Sequence, residues 1–312
     1  MSEFGLQSFP GLKTIESFTL PEDRNIFSYV MEAHQKNNTG NEKILYYIGE
    51  TYRYPHDFAS VLYASQLVQA EGMRCGVEHW RRNRGRCMGA LYWQLNDCWP
   101  VASWSSIDYY GRWKAMHYAA RHFFAPILSS ACEEGTQVSL HVSNERREAV
   151  SGELRWQLID VAGGVVSEGT KAVQVAAFST EQVEQLDYAG ELDTAAKKRS
   201  RYLEYAFVVG GESISSGSVL FVKPKHFSFR DPQLVAEVRE AADHFTITVE
   251  GVAYARFVEL SLERLDVIFS DNYFDLSANR AKTVRVEKKE WSAPVTLEEL
   301  KSQLKLRSVF DI

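Results

Sequence analysis

The sequence predicts a fragment of an α/β barrel, the last two βα units of a TIM barrel over residues 1–124. Two all-β immunoglobulin-like sandwich domains follow, over 125–224 and 225–312. Three observations predict this. Before residue 125, strand-like and helical stretches alternate, as in a βα repeat. From residue 137 onward, short segments alternate apolar and polar residues with period two, with Gly or Ser/Asn turns between them. Pro224 to Pro232 reads as a linker, and a second alternating block follows it.

Taken in order, Ser2-Glu3-Phe4-Gly5 reads as a strand end, with Gly5 allowing a tight turn. A helical stretch is expected over 22–36. Residues 55–83 place Phe58, Leu62, Leu67, Met73, Val77 and Trp80 at spacings compatible with one helical face, between Pro55 and Gly85. Cys87 to Leu95 is a nearly continuous apolar run of strand length, which suggests a strand covered on both faces. Residues 112–124 read as a closing helix with Trp113, Met116, Ala120 and Phe123 inward. In the sandwiches, strands are expected at 137–142, 153–159, 202–209, 218–222, 245–249, 257–260 and 283–286. A short helix near 297–304 precedes a final strand.

Apolar content of 45% and charged content of 24% are ordinary for a globular protein. A net charge of −6 argues against a nucleic-acid binder, which carries a basic face. No apolar run approaches the roughly 20 residues of a membrane span. The acidic Ser2-Glu3 start is unlike a signal peptide. Cys75, Cys87, Cys98 and Cys132 form no CxxC pair and no zinc spacing, so neither a metal nor a cofactor is expected. Free thiols fit a reducing, cytoplasmic setting. The basic run Arg81 to Arg86 reads as a helix C-terminus, where cations suit the dipole. His117 and His122, five apart, do not share a helix face and read as structural. Asp108 to Gly111 reads as a turn.

Two segments carry chemistry. Ser2-Glu3-Phe4-Gly5-Leu6-Gln7-Ser8 delivers a carboxylate at a strand end. Gly89-Ala90-Leu91-Tyr92-Trp93-Gln94-Leu95-Asn96-Asp97-Cys98-Trp99 delivers a flat indole, an amide and a carboxylate at the next. An aromatic ring stacks on a sugar face with little entropy to lose, and Asn96 and Asp97 can bind hydroxyls. Each residue also has a plain structural reading. Glu3 reads as a solvated carboxylate, Trp93 as core, and Asn96 and Asp97 as turn caps.

Together these segments resemble the β-mannosidases of glycoside hydrolase family 2. There, one barrel strand ends in Ser-Glu-Phe/Tyr-Gly-x-Gln-Ser and the eighth reads Gly-Ala-x-Tyr-Trp-Gln-x-Asn-Asp-x-Trp. Trp104-Ser105-Ser106, Trp113-Lys114 and Phe269-Ser270-Asp271-Asn272-Tyr273-Phe274-Asp275 share the likeness. The resemblance implies the C-terminal part of a retaining exo-β-mannosidase. It implies Glu3 as nucleophile and Trp93 as the wall of the sugar subsite, and the expected partners are a β-mannoside and the N-terminal part of the same enzyme. The family's acid/base Glu follows a Gly-Asn-Asn run, which does not occur here. Gly40-Asn41-Glu42 is the nearest echo, expected in a loop. The chain alone is therefore expected to be inactive. A β-galactosidase or β-glucuronidase activity, and a non-catalytic glycan- or partner-binding module, remain open alternatives at this point.

Overall fold

The computed structural model describes residues 1–291 and 293–312. They form two compact units. One gathers Met1–Phe4, Gly72–Tyr92 and Ala120–Phe229, and the other gathers Gly5–Glu71, Trp93–Ala119 and Arg230–Ile312.

Five helices lie before residue 125: α1 (Leu12–Glu16), α2 (Tyr29–Ala33), α3 (Gly40–Thr51), α4 (Phe58–Arg82) and α5 (Ala115–Phe123). The expected helix at 22–36 shrinks to α2, capped by the Ser28 hydroxyl accepting from the Met31 N–H at 3.2 Å. Pro21 instead opens a single 3₁₀ turn. Gly40-Asn41-Glu42, expected in a loop, begins α3. Ile44 and Ile48 are its buried face, yet Tyr46 and Tyr47 stand exposed on the other, and apolar residues on both sides hide the helical period.

The 25-residue α4 buries Leu62, Leu67, Met73 and Val77 as their spacing predicts. Its middle turns also bury Ser65, Gln66 and Gln69. Those polar groups hold extended backbone. The Ser65 hydroxyl accepts from the Phe9 N–H at 3.1 Å, and the Gln66 amide donates to the Phe9 carbonyl at 3.2 Å. Gln69 donates to the carbonyls of Leu6 at 2.8 Å and Trp104 at 3.1 Å, while its oxygen accepts from the Ser8 hydroxyl at 2.7 Å. Residues 5–9 and 101–106 pair through an isolated bridge, Ser8↔Ser103, rather than a long ladder. Their remaining buried amides need partners, and α4 supplies them.

The strand expected over Cys87 to Leu95 is corrected. What forms is one parallel bridge, Phe4↔Tyr92, supported by the Leu91 N–H donating to the Met1 carbonyl at 3.2 Å. Met88, Leu91, Trp93 and Leu95 are each more than half exposed. A parallel strand needs neighbours on both edges and cover on both faces. Here the Met1–Phe4 segment bridges the run at Tyr92, while Gln94 and Leu95 bond instead to residues 104–107. Gly5 is also corrected, because it makes no left-handed turn. A Cβ there would lie 2.2 Å from the Trp93 carbonyl oxygen, so close backbone approach excludes any side chain.

The basic run at the end of α4 does not simply face its own helix dipole. Arg81 donates to the carbonyls of Phe123 and Ala125, both at 2.8 Å, satisfying orphan acceptors at the end of α5. Arg82 reaches the Ala131 carbonyl at 3.2 Å, and Arg84 pairs with Glu145.

Seven strands follow: β1 (Ile127–Glu134), β2 (Gln137–Asn144), β3 (Val150–Asp160), β4 (Val165–Val175), β5 (Ser179–Asp187), β6 (Arg201–Val209) and β7 (Glu212–Leu220). They make two antiparallel sheets, β1-β2-β5 and β4-β3-β6-β7. Val138, Leu140 and Val142 from one sheet and Leu154, Leu158, Leu203 and Phe207 from the other share one core. Strand β4 carries mostly exposed side chains, and its Gly169 lets the Trp156 ring lie flat where a Cβ would intrude at 2.3 Å.

The second β block contains β8 (Val235–Glu240), β9 (His244–Glu250), β10 (Ala255–Leu262), β11 (Phe274–Leu276), β12 (Ala281–Glu287) and β13 (Leu304–Arg307). A four-residue α6 (Ala195–Lys198) precedes β6, and α7 (Leu297–Gln303) precedes β13. The sheets are β12-β9-β8 and β11-β10-β13. This second sandwich also takes residues from the helical part of its unit. Tyr118 of α5 belongs to its core and accepts from the Phe269 N–H at 3.2 Å. Buried Arg256 pairs with Glu71 of α4, whose other oxygen accepts from the Tyr52 hydroxyl at 2.7 Å.

Two substitutions and one exposed-site control test this framework in urea unfolding of the chain. Gln69→Leu strands buried carbonyls and the Ser8 hydroxyl, and should lower stability by about 2–4 kcal/mol, since each unsatisfied buried group costs about 1–3 kcal/mol. Gln182→Ala, at an exposed site, should stay within about 0.5 kcal/mol of wild type. Gly5→Ala should cost about 1–3 kcal/mol by overpacking. An unchanged urea midpoint for Gly5→Ala would show that the Trp93 backbone yields freely.

Candidate active site

Glu3 lies in the first unit, on the short segment that runs parallel to Gly89–Tyr92, and its side chain is exposed. The next residue anchors it. Phe4 packs edge-on against Trp80 of α4, with ring centroids 4.5 Å apart. The Met1 amino group donates to the Gly89 carbonyl at 2.9 Å, fixing the start of the same segment. The backbone thus orders the residue while leaving its carboxylate open to solvent.

Trp93, Asn96 and Asp97 lie together in the second unit, on one tight corner. The Trp93–Gln94 peptide is cis. The Trp93 indole is 51% exposed and Asn96 is exposed, as groups that meet a ligand must be. Asp97 is turned inward, at 4% exposure. One of its oxygens accepts from the Ser103 hydroxyl at 2.6 Å and from the Gln94 amide at 3.2 Å. The other accepts from Ser105 at 2.5 Å. Its carboxylate therefore holds the corner closed. The Gln94 N–H donates to the Trp104 carbonyl at 3.2 Å, and the Ile107 N–H donates to that of Leu95 at 2.9 Å.

Three contributors escape a reading of the two motifs alone. Ser103 and Ser105 hold Asp97, and buried Lys114 stands behind them. Its ammonium donates to the Ser8 carbonyl at 3.4 Å, and burial pushes its pKa down to about 8 against the pull of Asp97 and Asp108. Asp108 is itself buried, accepting from Thr14 and from the N–H groups of Tyr110 and Arg112, both at 2.9 Å. The signal for Lys114 is a lysine between Trp113 and Ala115 at the start of an otherwise apolar helical face. An aromatic stack borders the corner. Phe18 lies parallel to His34 at 3.9 Å, and His34 is tilted against Trp99 at 5.1 Å, its Nδ1 2.6 Å from the Pro100 carbonyl.

The described clefts do not coincide with these residues. In the first unit a cleft of about 250 Å³ is lined by Trp80, Arg81, Arg84, Met88 and Phe124, and does not include Glu3. In the second unit a shallow one along Glu237, Val238, Lys301 and Leu306 includes none of Trp93, Asn96 or Asp97.

Comparison with known proteins gives the lineage. Residues 136–226 match the family model described as a mannosidase Ig/CBM-like domain, and residues 229–312 match an Ig-fold domain model named for mannosidases. The β-mannosidase of Bos taurus is 29% identical over 309 residues, covering 91% of this chain and 34% of the bovine protein. The β-mannosidase B of Aspergillus niger is 31% identical over 312 residues, covering 91% and 36%. The crystal structure of a β-D-mannosidase from Dictyoglomus thermophilum superposes with a TM-score of 0.88 at 26% identity, covering 99% of this chain and 37% of that one. An exo-chitosanase from Amycolatopsis orientalis shares the fold, with a TM-score of 0.74 at 17% identity over 97% of this chain and 41% of its own. The chain thus spans about a third of the length of these β-mannosidases. With two mannosidase-type Ig-like domain matches and homology along 91% of its residues, the chain is related to the β-mannosidases over about a third of their length.

Proposed function

We propose that this chain supplies part of the active site of a retaining exo-β-mannosidase that releases terminal β-D-mannosyl residues. The observation that carries this reading is its homology to β-mannosidases along 91% of its length. The chain covers only about a third of those enzymes, so the activity belongs to the chain together with the upstream portion that its relatives carry. Residues 1–124 then form the end of the catalytic barrel. A strand segment, the long helix α4 and a second segment parallel to the first support that assignment.

In this reading Glu3 is the nucleophile. Its carboxylate attacks the anomeric carbon as a second carboxyl group, supplied by the upstream portion, protonates the departing oxygen. Water then releases the covalent mannosyl-enzyme, with that second group acting as base. An exposed Glu3 on an ordered backbone suits this role. Trp93 offers its indole to the sugar face and Asn96 its amide to a hydroxyl. Asp97, the remaining group of the motif, acts on the sugar through the corner it closes. The partners are a β-mannoside and the rest of the same enzyme. Neither a nucleic acid nor a membrane is required.

Three measurements in the complete enzyme and one on the chain alone test the reading. Glu3→Gln should abolish turnover, and a 2-fluoro-mannoside should label Glu3, whereas label on another glutamate would refute the assignment. Trp93→Ala should reduce kcat/KM by about 1–3 kcal/mol of transition-state binding, as loss of a stacking contact does. The 312-residue chain alone should not hydrolyse p-nitrophenyl β-mannoside, since lost general acid catalysis costs roughly 10²–10⁴-fold. Turnover by the purified chain would overturn the division of the catalytic pair.

A further inference from the structure

Lys114 is 2% exposed in the second unit, immediately before α5. Its N–H donates to the Ser106 carbonyl at 2.9 Å, and its ammonium to the Ser8 carbonyl at 3.4 Å. Ser8 and Ser103 exchange backbone hydrogen bonds at 3.0 and 3.3 Å. Ser103 holds Asp97, and Asp97 holds Gln94, the residue after Trp93. A short chain of contacts therefore runs from the lysine to the corner that carries the indole.

The charge is expensive to keep there. Burial lowers the pKa of the ammonium from 10.5 to about 8, although Asp97 and Asp108 both act to raise it. Those carboxylates come from the 93–108 segment. From the other packed elements, α4 presents Gln66, α1 presents Thr14 to Asp108, and on α5 itself His117 meets the Ser106 hydroxyl at 3.0 Å. Here burial outweighs the attraction of the two carboxylates, each of which keeps its own hydrogen-bond donors, so an apolar side chain of similar length need not cost stability at neutral pH. Local rules broken at a net loss of stability are characteristic of functional sites.

We propose that Lys114 is a positioning residue for glycoside cleavage, locking the Gln94–Asp97 corner through Ser8, Ser103 and Asp97 so that Trp93 faces the sugar. This rests on the reading of Trp93 as the stacking residue. Lys114 itself touches no substrate. Its ammonium restrains the backbone on which the indole and Asn96 are mounted.

The test compares Lys114→Met, Lys114→Gln and Trp93→Ala, with Tm measured on this chain and kinetics on the complete enzyme with p-nitrophenyl β-mannoside. Lys114→Met should match or exceed the wild-type Tm at pH 7, yet lower kcat/KM roughly 10–100-fold, the scale of a 1 Å misplacement. Lys114→Gln, which keeps a donor for Ser8 without the charge, should fall between the two and carries the test if the Met variant does not fold. The pH dependence has a definite sign. A lysine whose folded pKa is depressed adds stability that is complete above about pH 10.5 and lost as pH falls through about 8. Wild type should thus gain Tm relative to Lys114→Met between pH 8 and 10.5. Unchanged kcat/KM in both lysine variants, or a loss that only follows a falling Tm, would overturn the role. If Trp93→Ala impairs catalysis and the lysine variants do not, only the Lys114 role falls. If Trp93→Ala is itself silent, the stacking role falls and takes the lysine role with it.

Discussion

The arrangement of the segments around Ser8 and Trp93 depends on one interaction, the buried amide of Gln69 on α4. The segments around Ser8 and Ser103 meet through one isolated bridge rather than a full sheet, and buried backbone without a partner costs free energy comparable to a lost hydrogen bond. Gln69 bonds the carbonyls of Leu6 and Trp104 and the Ser8 hydroxyl from a single side chain. Ser65 and Gln66, one turn earlier, do the same for Phe9 and Ala115. A helix that buries only an apolar stripe could not do this. The burial of α4 through its middle turns and its polar content are two sides of one requirement.

From that support the corner at Trp93 follows. Its backbone is pinned to Trp104 and Ile107, and its one buried carboxylate, Asp97, is neutralised in hydrogen-bonding terms by two serines and Gln94. The apolar ring and the Asn96 amide are left outward because every inward group of the corner is already engaged. Gly5 completes the geometry from the other side. Its missing side chain admits the Trp93 carbonyl to a distance that a Cβ could not tolerate. Glycine here serves packing and not turn formation.

The second sandwich shows the same economy of partners. Arg256 is buried against Glu71 of α4, and Tyr52 supplies a further hydrogen bond to that carboxylate. Removing either charge would leave the other uncompensated in a medium that solvates it poorly. Arg307 lies over the Tyr63 ring at 4.2 Å and pairs with Glu259, and Tyr273 donates to Glu259 at 2.6 Å. These charged groups bind the sandwich to the helical layer more specifically than apolar contact alone would. They are consistent with residues 230–312 grouping with the α4 residues up to Glu71 and the α5 residues up to Ala119.

Much of this was legible from residue order. Period-two alternation located β2, β3, β6, β9 and β12, because one face of each strand packs into a core and the other meets solvent. It missed β4, whose side chains are mostly exposed and so leave no alternation, and α3, whose outward Tyr46 and Tyr47 blur the helical stripe. The two motifs singled out Glu3, Trp93, Asn96 and Asp97 as candidates, since a carboxylate, an indole and an amide are local chemistry. What the sequence determined by itself was this local character: amphipathic strands, the long helix, and the identity of the candidate side chains. Only the tertiary structure decided which of those groups face outward and which are engaged within. Asp97 meets Ser103, Ser105 and the field of Lys114 across a loop that closes only on folding, and burial of that kind leaves no periodic trace in the sequence. Gly5 is the same case, because the approach of Trp93 that forbids it a side chain exists only once residues 88 positions apart are brought together.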